Sequence, residues 1–295
     1  MRRPWPPCTP VRSRLMFEAH FGLSAAPFAL SPDPSFYFDS RGHNRAMAYL
    51  QYGVVQGEGF IVVSGEIGTG KTTLVKKLLS ALDDRQVVAG EVLNTQLNCG
   101  ELLQAVGLAF GVPLAGQTKA QMLGSLEAHF LGVAASGRRS LLVVDEAQNL
   151  DGEALEELRM LSNFQLGSRA LLQSFLVGQP GLREKLQLPA LEQLRQRILA
   201  ACYLGALPPE EMQAYITCRL ERVGWNGRPH FEPQAVEQIH HHSGGIPRRI
   251  NRLCSRVLLS ASLSSCDCID GDRVNQTAQE LAQEMGMGPA LPWAA

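Results

Sequence analysis

The stretch Gly65-Glu66-Ile67-Gly68-Thr69-Gly70-Lys71-Thr72 has the spacing G-x-x-x-x-G-K-[ST], and Thr73 follows it. Glycines at these places let the chain curl until successive backbone N–H groups face one anion. A helix starting at the end of the loop adds the positive end of its dipole. Lys71 supplies a mobile charge for β- and γ-phosphates, and the Thr72 hydroxyl can ligate Mg2+. Gly65 to Thr73 is therefore the expected phosphate-binding set. The second group with chemistry is Leu141-Leu142-Val143-Val144-Asp145-Glu146. Four apolar residues that end in two acids read as a buried strand presenting carboxylates where ligands of open α/β sheets bind. Asp145 is placed to hold the hydration shell of the metal. Glu146 is placed to orient or deprotonate a water in line with the γ-phosphate.

Both groups need a frame. Short apolar runs at Phe60–Ser64, Val87–Leu93, Leu141–Asp145, Leu171–Val177 and Ile198–Leu204 read as strands. Amphipathic stretches at about 41–57, 71–82, 100–110, 119–135, 151–163 and 181–196 read as helices. Apolar strands alternating with helices predict a parallel sheet covered on both faces, a three-layer α/β core. After Pro208-Pro209 the strand signals stop, and helices are expected at about 209–223, 233–242, 246–262 and 271–285. The resulting organisation has four parts. Residues 1–15 are an Arg- and Pro-rich tail or a mis-assigned start ahead of Met16. Residues 16–206 form the nucleotide-binding core, opening with a Pro-punctuated, aromatic segment, Met16–Phe38, that reads as extended. Residues 207–286 form a small all-α lid, and 287–295 a loose tail.

Composition narrows the function classes. The 295 residues are 45% hydrophobic and 19% charged, which excludes disorder for the bulk of the chain. Lys plus Arg is 27 against 28 Asp plus Glu, a net charge of -1 that argues against a nucleic-acid coat but leaves a local basic face open. No apolar run approaches the ~18 residues of a membrane helix, and the first residues lack the apolar stretch of a secretory signal. Seven scattered cysteines fit a reducing cytoplasm better than a disulfide framework. Cys266-Asp267-Cys268 and His240-His241-His242 lack the further ligands of a tetrahedral zinc site.

The strand Val87–Leu93, inserted between the loop strand and the acidic strand, together with Glu146 after Asp145, resembles the AAA+ ATPases, the additional-strand class of P-loop NTPases. Further stretches narrow the resemblance: FGLSAAPFALSPDPSFYF, GHNRAMAYLQYG, LRMLSNFQ, LEQLRQRI and SGGIPRRIN. Together they are similar to ATPases of the general-secretion-pathway protein A type and, within those, to the ATPases associated with exosortase A and PEP-CTERM sorting loci. The resemblance implies ATP and Mg2+ as ligands, a five-stranded parallel sheet with a helical lid, and homo-oligomers. It also implies a cytoplasmic place, at most peripheral to the inner membrane, and partners among cell-envelope export, sorting or polysaccharide-export proteins. The secretion-pathway relatives continue into a membrane helix and a peptidoglycan-binding region. Neither is read in this sequence, which fits the shorter exosortase-associated type.

Residue by residue, the resemblance makes Gln179 a first sensor between the acidic pair and the γ-phosphate; an amide capping the turn before Pro180 is the plainer reading. Arg195 or Arg197 would reach into a neighbouring subunit's site, unless both are simply solvated. Arg248, at the start of the lid helix, would lie over the bound phosphates. Phe36, Tyr37 and His43 would help hold the adenine, or serve as packing anchors. Arg248, Arg252 and Arg256 recur at helical spacing, so a nucleic-acid face is an alternative. A DNA-associated AAA+ protein such as a transposition helper, and a nucleotide-gated scaffold with little turnover, are the competing functions.

Overall fold

The computed structural model describes residues 16–31, 33–93, 95–284 and 286. The two expected tails, 1–15 and 287–295, lie outside the described residues. The chain divides into two units, Pro32–Leu207 and Met1–Ser31 with Pro208–Ala295.

Helix α1 (Met16–Phe21) opens the described chain. The α/β unit then runs α2 (Arg41–Gln56), β1 (Phe60–Gly65), α3 (Lys71–Ala81), β2 (Val87–Val92), α4 (Cys99–Ala109), α5 (Lys119–Ala135) and β3 (Arg139–Val144). It continues with α6 (Gly152–Leu161), a hairpin of β4 (Gln165–Leu166) and β5 (Arg169–Ala170), β6 (Leu172–Gly178), α7 (Pro180–Leu186), α8 (Glu192–Arg195) and β7 (Ile198–Leu204). Five of these strands form one parallel sheet in the order β2-β3-β6-β1-β7. Side chains alternate across it. Phe60 and Val62 enter one apolar core with Leu142, Val144 and Leu176, while Ile61 and Val63 enter the other with Leu74, Val143 and Phe175. Both faces of the inner strands β1, β3 and β6 are thereby buried, which is why these read as mostly apolar runs, whereas the edge strands β2 and β7 are only partly covered.

Helix α2 is fixed at both ends. Its N-cap is Ser40, whose Oγ accepts the His43 N–H at 3.1 Å. At its C-terminal end, Arg139 Nη1 donates to the Val54 and Val55 carbonyls at 2.8 and 2.9 Å, and Gln173 Nε2 donates to Gly53 O at 2.7 Å. The Val54 and Val55 carbonyls lie in the last turn, where the helix offers no donor, and Arg139 of β3 supplies it. The Gly53 carbonyl, already bonded to the Gly57 N–H at 2.9 Å, takes Gln173 of β6 as a second donor.

Two expectations are corrected here. The single helix anticipated over 181–196 is broken: α7 stops at Leu186, a 3-10 turn spans Pro189–Leu191, and α8 is one turn long. Pro189 disfavours helix for the residue before it, and Leu188 is extended at φ -59, ψ 139. The segment Met16–Phe38, anticipated as extended, begins with the helical α1 and carries a 3-10 turn at Pro34–Phe36 capped by Asp33. Its first part, through Ser31, groups with the helical unit rather than with the core. Ser24 N–H donates to Val223 O at 2.9 Å and Ser255 Oγ to Phe28 O at 3.2 Å, with Phe17, Phe21 and Phe28 buried.

The helical unit comprises α9 (Pro209–Glu221), β8 (His230–Phe231), α10 (Pro233–Ser243), α11 (Pro247–Leu263), β9 (Cys268–Ile269) and α12 (Gly271–Glu284). A proline stands in the first turn of α9, α10 and α11, where its missing N–H costs nothing. Strands β8 and β9 form a two-residue parallel pair that hydropathy did not signal. No helix among the described residues is long and apolar enough to cross a membrane.

Candidate functional site

Strand β1 delivers the loop and α3 begins at Lys71, so the glycine-rich segment lies at the C-terminal edge of a central strand and runs into a helix N-terminus. Gly70 has φ +97, a conformation that costs a side-chain-bearing residue strain. A Cβ there would also come within 2.8 Å of His43 Nε2. His43 is buried behind the loop, with Nε2 3.1 Å from the Thr69 carbonyl and Nδ1 2.6 Å from Ser40 Oγ. A carbonyl only accepts, so Nε2 carries the proton and Nδ1 accepts from the Ser40 hydroxyl. Tyr37 meets the imidazole edge-on at 5.6 Å, and Lys77 Nζ lies 4.4 Å from the Tyr37 ring centre. His43 and Tyr37 are thus engaged in backing the loop, and Phe36 is half-buried on the preceding turn.

The functional side chains converge from the start of α3 and the ends of β3 and β6. Lys71 is buried and turns back to donate to Gly65 O at 2.7 Å and Glu66 O at 2.9 Å. Burial pushes its ammonium below the ordinary lysine value, against the opposing pull of Glu146, Asp145 and Glu66. Thr72 Oγ1 donates to Asp145 Oδ2 at 2.8 Å, which puts the two expected metal-holding oxygens side by side. Two hard oxygen donors of this kind fit Mg2+, which keeps most of its waters and takes one or two protein ligands. Asp145 Oδ1 accepts the Glu146 N–H at 2.9 Å. Within the loop, Thr69 Oγ1 donates to Glu66 O at 2.9 Å, while Glu66 and Ile67 are exposed, Gly68 and Thr73 half-buried.

Glu146 is in the left-handed region, φ 52 and ψ 36, although it is not a glycine. The buried Thr95 holds it there, donating from Oγ1 to Glu146 O at 2.7 Å. Its carboxylate accepts from Gln179 Nε2 at 3.0 Å and from Gln148 Nε2 at 2.6 Å, both at Oε2. Burial alone would raise the carboxyl. The two amides and the Lys71 charge outweigh it and hold Glu146 below its ordinary value, ionised at neutral pH.

The structure therefore brings Lys71, Thr72, Asp145, Glu146 and Gln179 into one cluster. Arg197 lies elsewhere in the unit, bonded to Ser162 Oγ at 2.6 Å and to Asn163 Oδ1, and Arg195 pairs with Glu192 one turn away. Arg248 is exposed in the first turn of α11 in the helical unit. Arg252 is exposed too, whereas Arg256 is paired with Glu284, which shortens the basic stripe. Thr95, Gln148 and the His43 contact escaped the sequence reading. The only available signal was position: Gln148 two residues after Glu146, and Thr95 just past the end of β2.

Residues 54–186 match the family described as AAA domain. General secretion pathway protein A of Aeromonas hydrophila is 41% identical over 247 residues, covering 83% of this chain. The chain spans 45% of that relative's length. Among solved structures, Cdc6p from Pyrobaculum aerophilum superposes with a TM-score of 0.66 at 16% identity, covering 85% of this chain and 70% of that one. The Aeropyrum pernix ORC2 protein, solved as ADPNP-ADP complexes, gives 0.60 at 19% identity over 83% of this chain and 70% of its own. The α/β unit is a P-loop AAA fold, and the chain is related to general secretion pathway protein A.

Proposed function

We propose that this protein binds ATP with Mg2+ and hydrolyses it, in the service of a bacterial cell-envelope export or sorting system. The observation that carries the catalytic part is one run of hydrogen bonds, from Thr72 to Asp145, through the Glu146 N–H, and from the Glu146 carboxylate to Gln179. Backbone N–H groups of the 65–73 loop receive the phosphates. Lys71 Nζ exchanges its two loop carbonyls for phosphate oxygens, a substitution that needs only rotation of a flexible stem. Thr72 and Asp145 would hold Mg2+, which neutralises charge on the phosphate oxygens when bound. Glu146 takes a proton from the attacking water as its oxygen bonds to the γ-phosphorus and the bond to the β–γ bridging oxygen breaks, giving ADP and phosphate. Gln179 orients the Glu146 carboxylate. Arg195 or Arg197 of a second copy would stabilise charge that builds up in the transition state.

The experiment is Glu146→Gln. An amide oxygen still accepts from the same donors, so ATP binding persists while turnover falls about 10²- to 10⁴-fold. Lys71→Ala loses both. Phosphate release at the wild-type rate from Glu146→Gln protein refutes the assignment. The export role is supported by the identity with general secretion pathway protein A over 83% of this chain. The narrower tie to exosortase and PEP-CTERM sorting rests on the LRMLSNFQ and GGIPRRIN stretches. It is tested by whether neighbouring genes encode an exosortase and polysaccharide-export proteins. Pairing of Arg256 with Glu284 counts against the DNA-binding alternative, and duplex binding that falls steeply with salt would restore it.

A further inference from the structure

Gln148 lies in the 3-10 turn Ala147–Asn149 that follows Glu146, and each half of its amide has a separate partner. Oε1 accepts the backbone N–H of Gln179 at 2.9 Å, and Nε2 donates to Glu146 Oε2 at 2.6 Å. The amide has one possible orientation, because a backbone N–H only donates and an ionised carboxylate only accepts. The Gln148 backbone carbonyl is taken as well: Lys185 Nζ, in the last turn of α7, donates to it at 2.6 Å and also to the Leu150 backbone carbonyl. Gly178 makes the approach possible, since a Cβ there would stand 2.7 Å from Gln148 Oε1. The end of β6, the start of α7 and the Glu146 carboxylate are therefore joined through one side chain.

We propose that Gln148 is a positioning residue, which aims the Glu146 carboxylate and makes its placement depend on the β6–α7 turn. The proposal rests on the reading of Glu146 as the water-activating base, and it extends that reading to how the base is regulated. Glu146 sits on a left-handed backbone where its side chain has no regular element to lean on. Gln179 Nε2 reaches the same oxygen at 3.0 Å, but Gln179 is itself held by Gln148 through its backbone N–H. Removing Gln148 therefore frees both amide contacts, whereas removing the Gln179 side chain frees one. A shift of the turn that carries Gln179, or of helix α7 whose last turn carries Lys185, moves Gln148, and Gln148 moves the base. The turn becomes a control point for hydrolysis that need not touch the water itself.

The test compares Gln148→Met, which keeps length without a donor, with Gln148→Glu, which keeps an acceptor for the Gln179 N–H and replaces the donor to Glu146 by a like charge. A base displaced by about 1 Å costs of the order of 10- to 100-fold. We expect kcat to fall by that factor in both variants, with KM and the affinity for ATP measured by calorimetry within twofold of wild type. Gly178→Ala should do the same by pushing Oε1 away. In a Glu146→Gln background, Gln148→Met should leave the residual rate unchanged. Thermal melting identifies any variant that fails to fold, and the remaining variants then carry the comparison. Unchanged or increased kcat, a loss expressed in KM, or an equal loss in the Glu146→Gln background overturns the proposal. Normal turnover by Glu146→Gln alone would instead overturn the reading of the base, so the two failures are distinct.

Discussion

Glu146 carries its own thermodynamic signature. Its backbone stands at φ 52, ψ 36, where a Cβ crowds the following carbonyl at a cost of about 1–2 kcal/mol. Replacing it by glycine removes the Cβ, and replacing it by alanine keeps it. Both changes delete the same carboxylate contacts to Gln148 and Gln179, and both leave the Thr95 bond to the residue-146 carbonyl in place, so these effects cancel in the comparison. Against the relief stands the larger unfolded-state freedom of glycine, about 0.4–1 kcal/mol. The net expectation is that Glu146→Gly is more stable than Glu146→Ala by about 0.8 kcal/mol, from the difference of the central values of those two terms. For a unit of this size that is roughly 1–4 °C in Tm, read by circular dichroism without nucleotide. Neither variant should turn over ATP, so the comparison is independent of catalysis. An alanine variant that melts above the glycine variant, as the unfolded-state freedom of glycine alone would make it, would show that the left-handed backbone carries no strain, and the argument that Thr95 holds it there would fail.

Gly53 of α2 faces β1 so closely that a Cβ would stand 2.5 Å from Ile61 Cγ1 and 3.2 Å from Phe175 Cε1. Gly53→Ala should destabilise by about 1–3 kcal/mol through overpacking, read as a lowered urea midpoint. Burial pushes the thiols of Cys254 and Cys202 well above the ordinary value, Cys202 to about 11, leaving little thiolate at pH 8. A disulfide reagent at that pH should label both far more slowly than the half-buried Cys266, and denaturant should abolish the difference.

Much of the frame was legible because it is fixed by burial. Strands covered on both faces are largely apolar, so β1, β3 and β6 stand out within a residue or two, and the edge strand β7 stands out by its apolar composition although it is only partly covered. The phosphate loop and the acid pair are legible for a different reason: their chemistry tolerates few residue types at fixed spacing. Other features leave weaker traces. The break between α7 and α8 turns on Leu188 and Pro189, a local backbone effect inside an otherwise helical pattern. The β4–β5 hairpin is two residues deep and mostly exposed, so no alternation marks it. Gln148, Thr95 and His43 act through hydrogen bonds to partners 26 to 51 residues away or across a turn, and polar types at single positions carry no periodic signal.

Helix α2 contributes none of the phosphate-loop motif, yet it is anchored by β3 and β6 at one end and touches the loop through His43 at the other. It behaves as a strut. The curvature of residues 65–72 is set from behind by a side chain that enters the chain well before them. A truncation that begins inside α2 would retain every letter of the consensus and still have lost the mould in which those letters take shape.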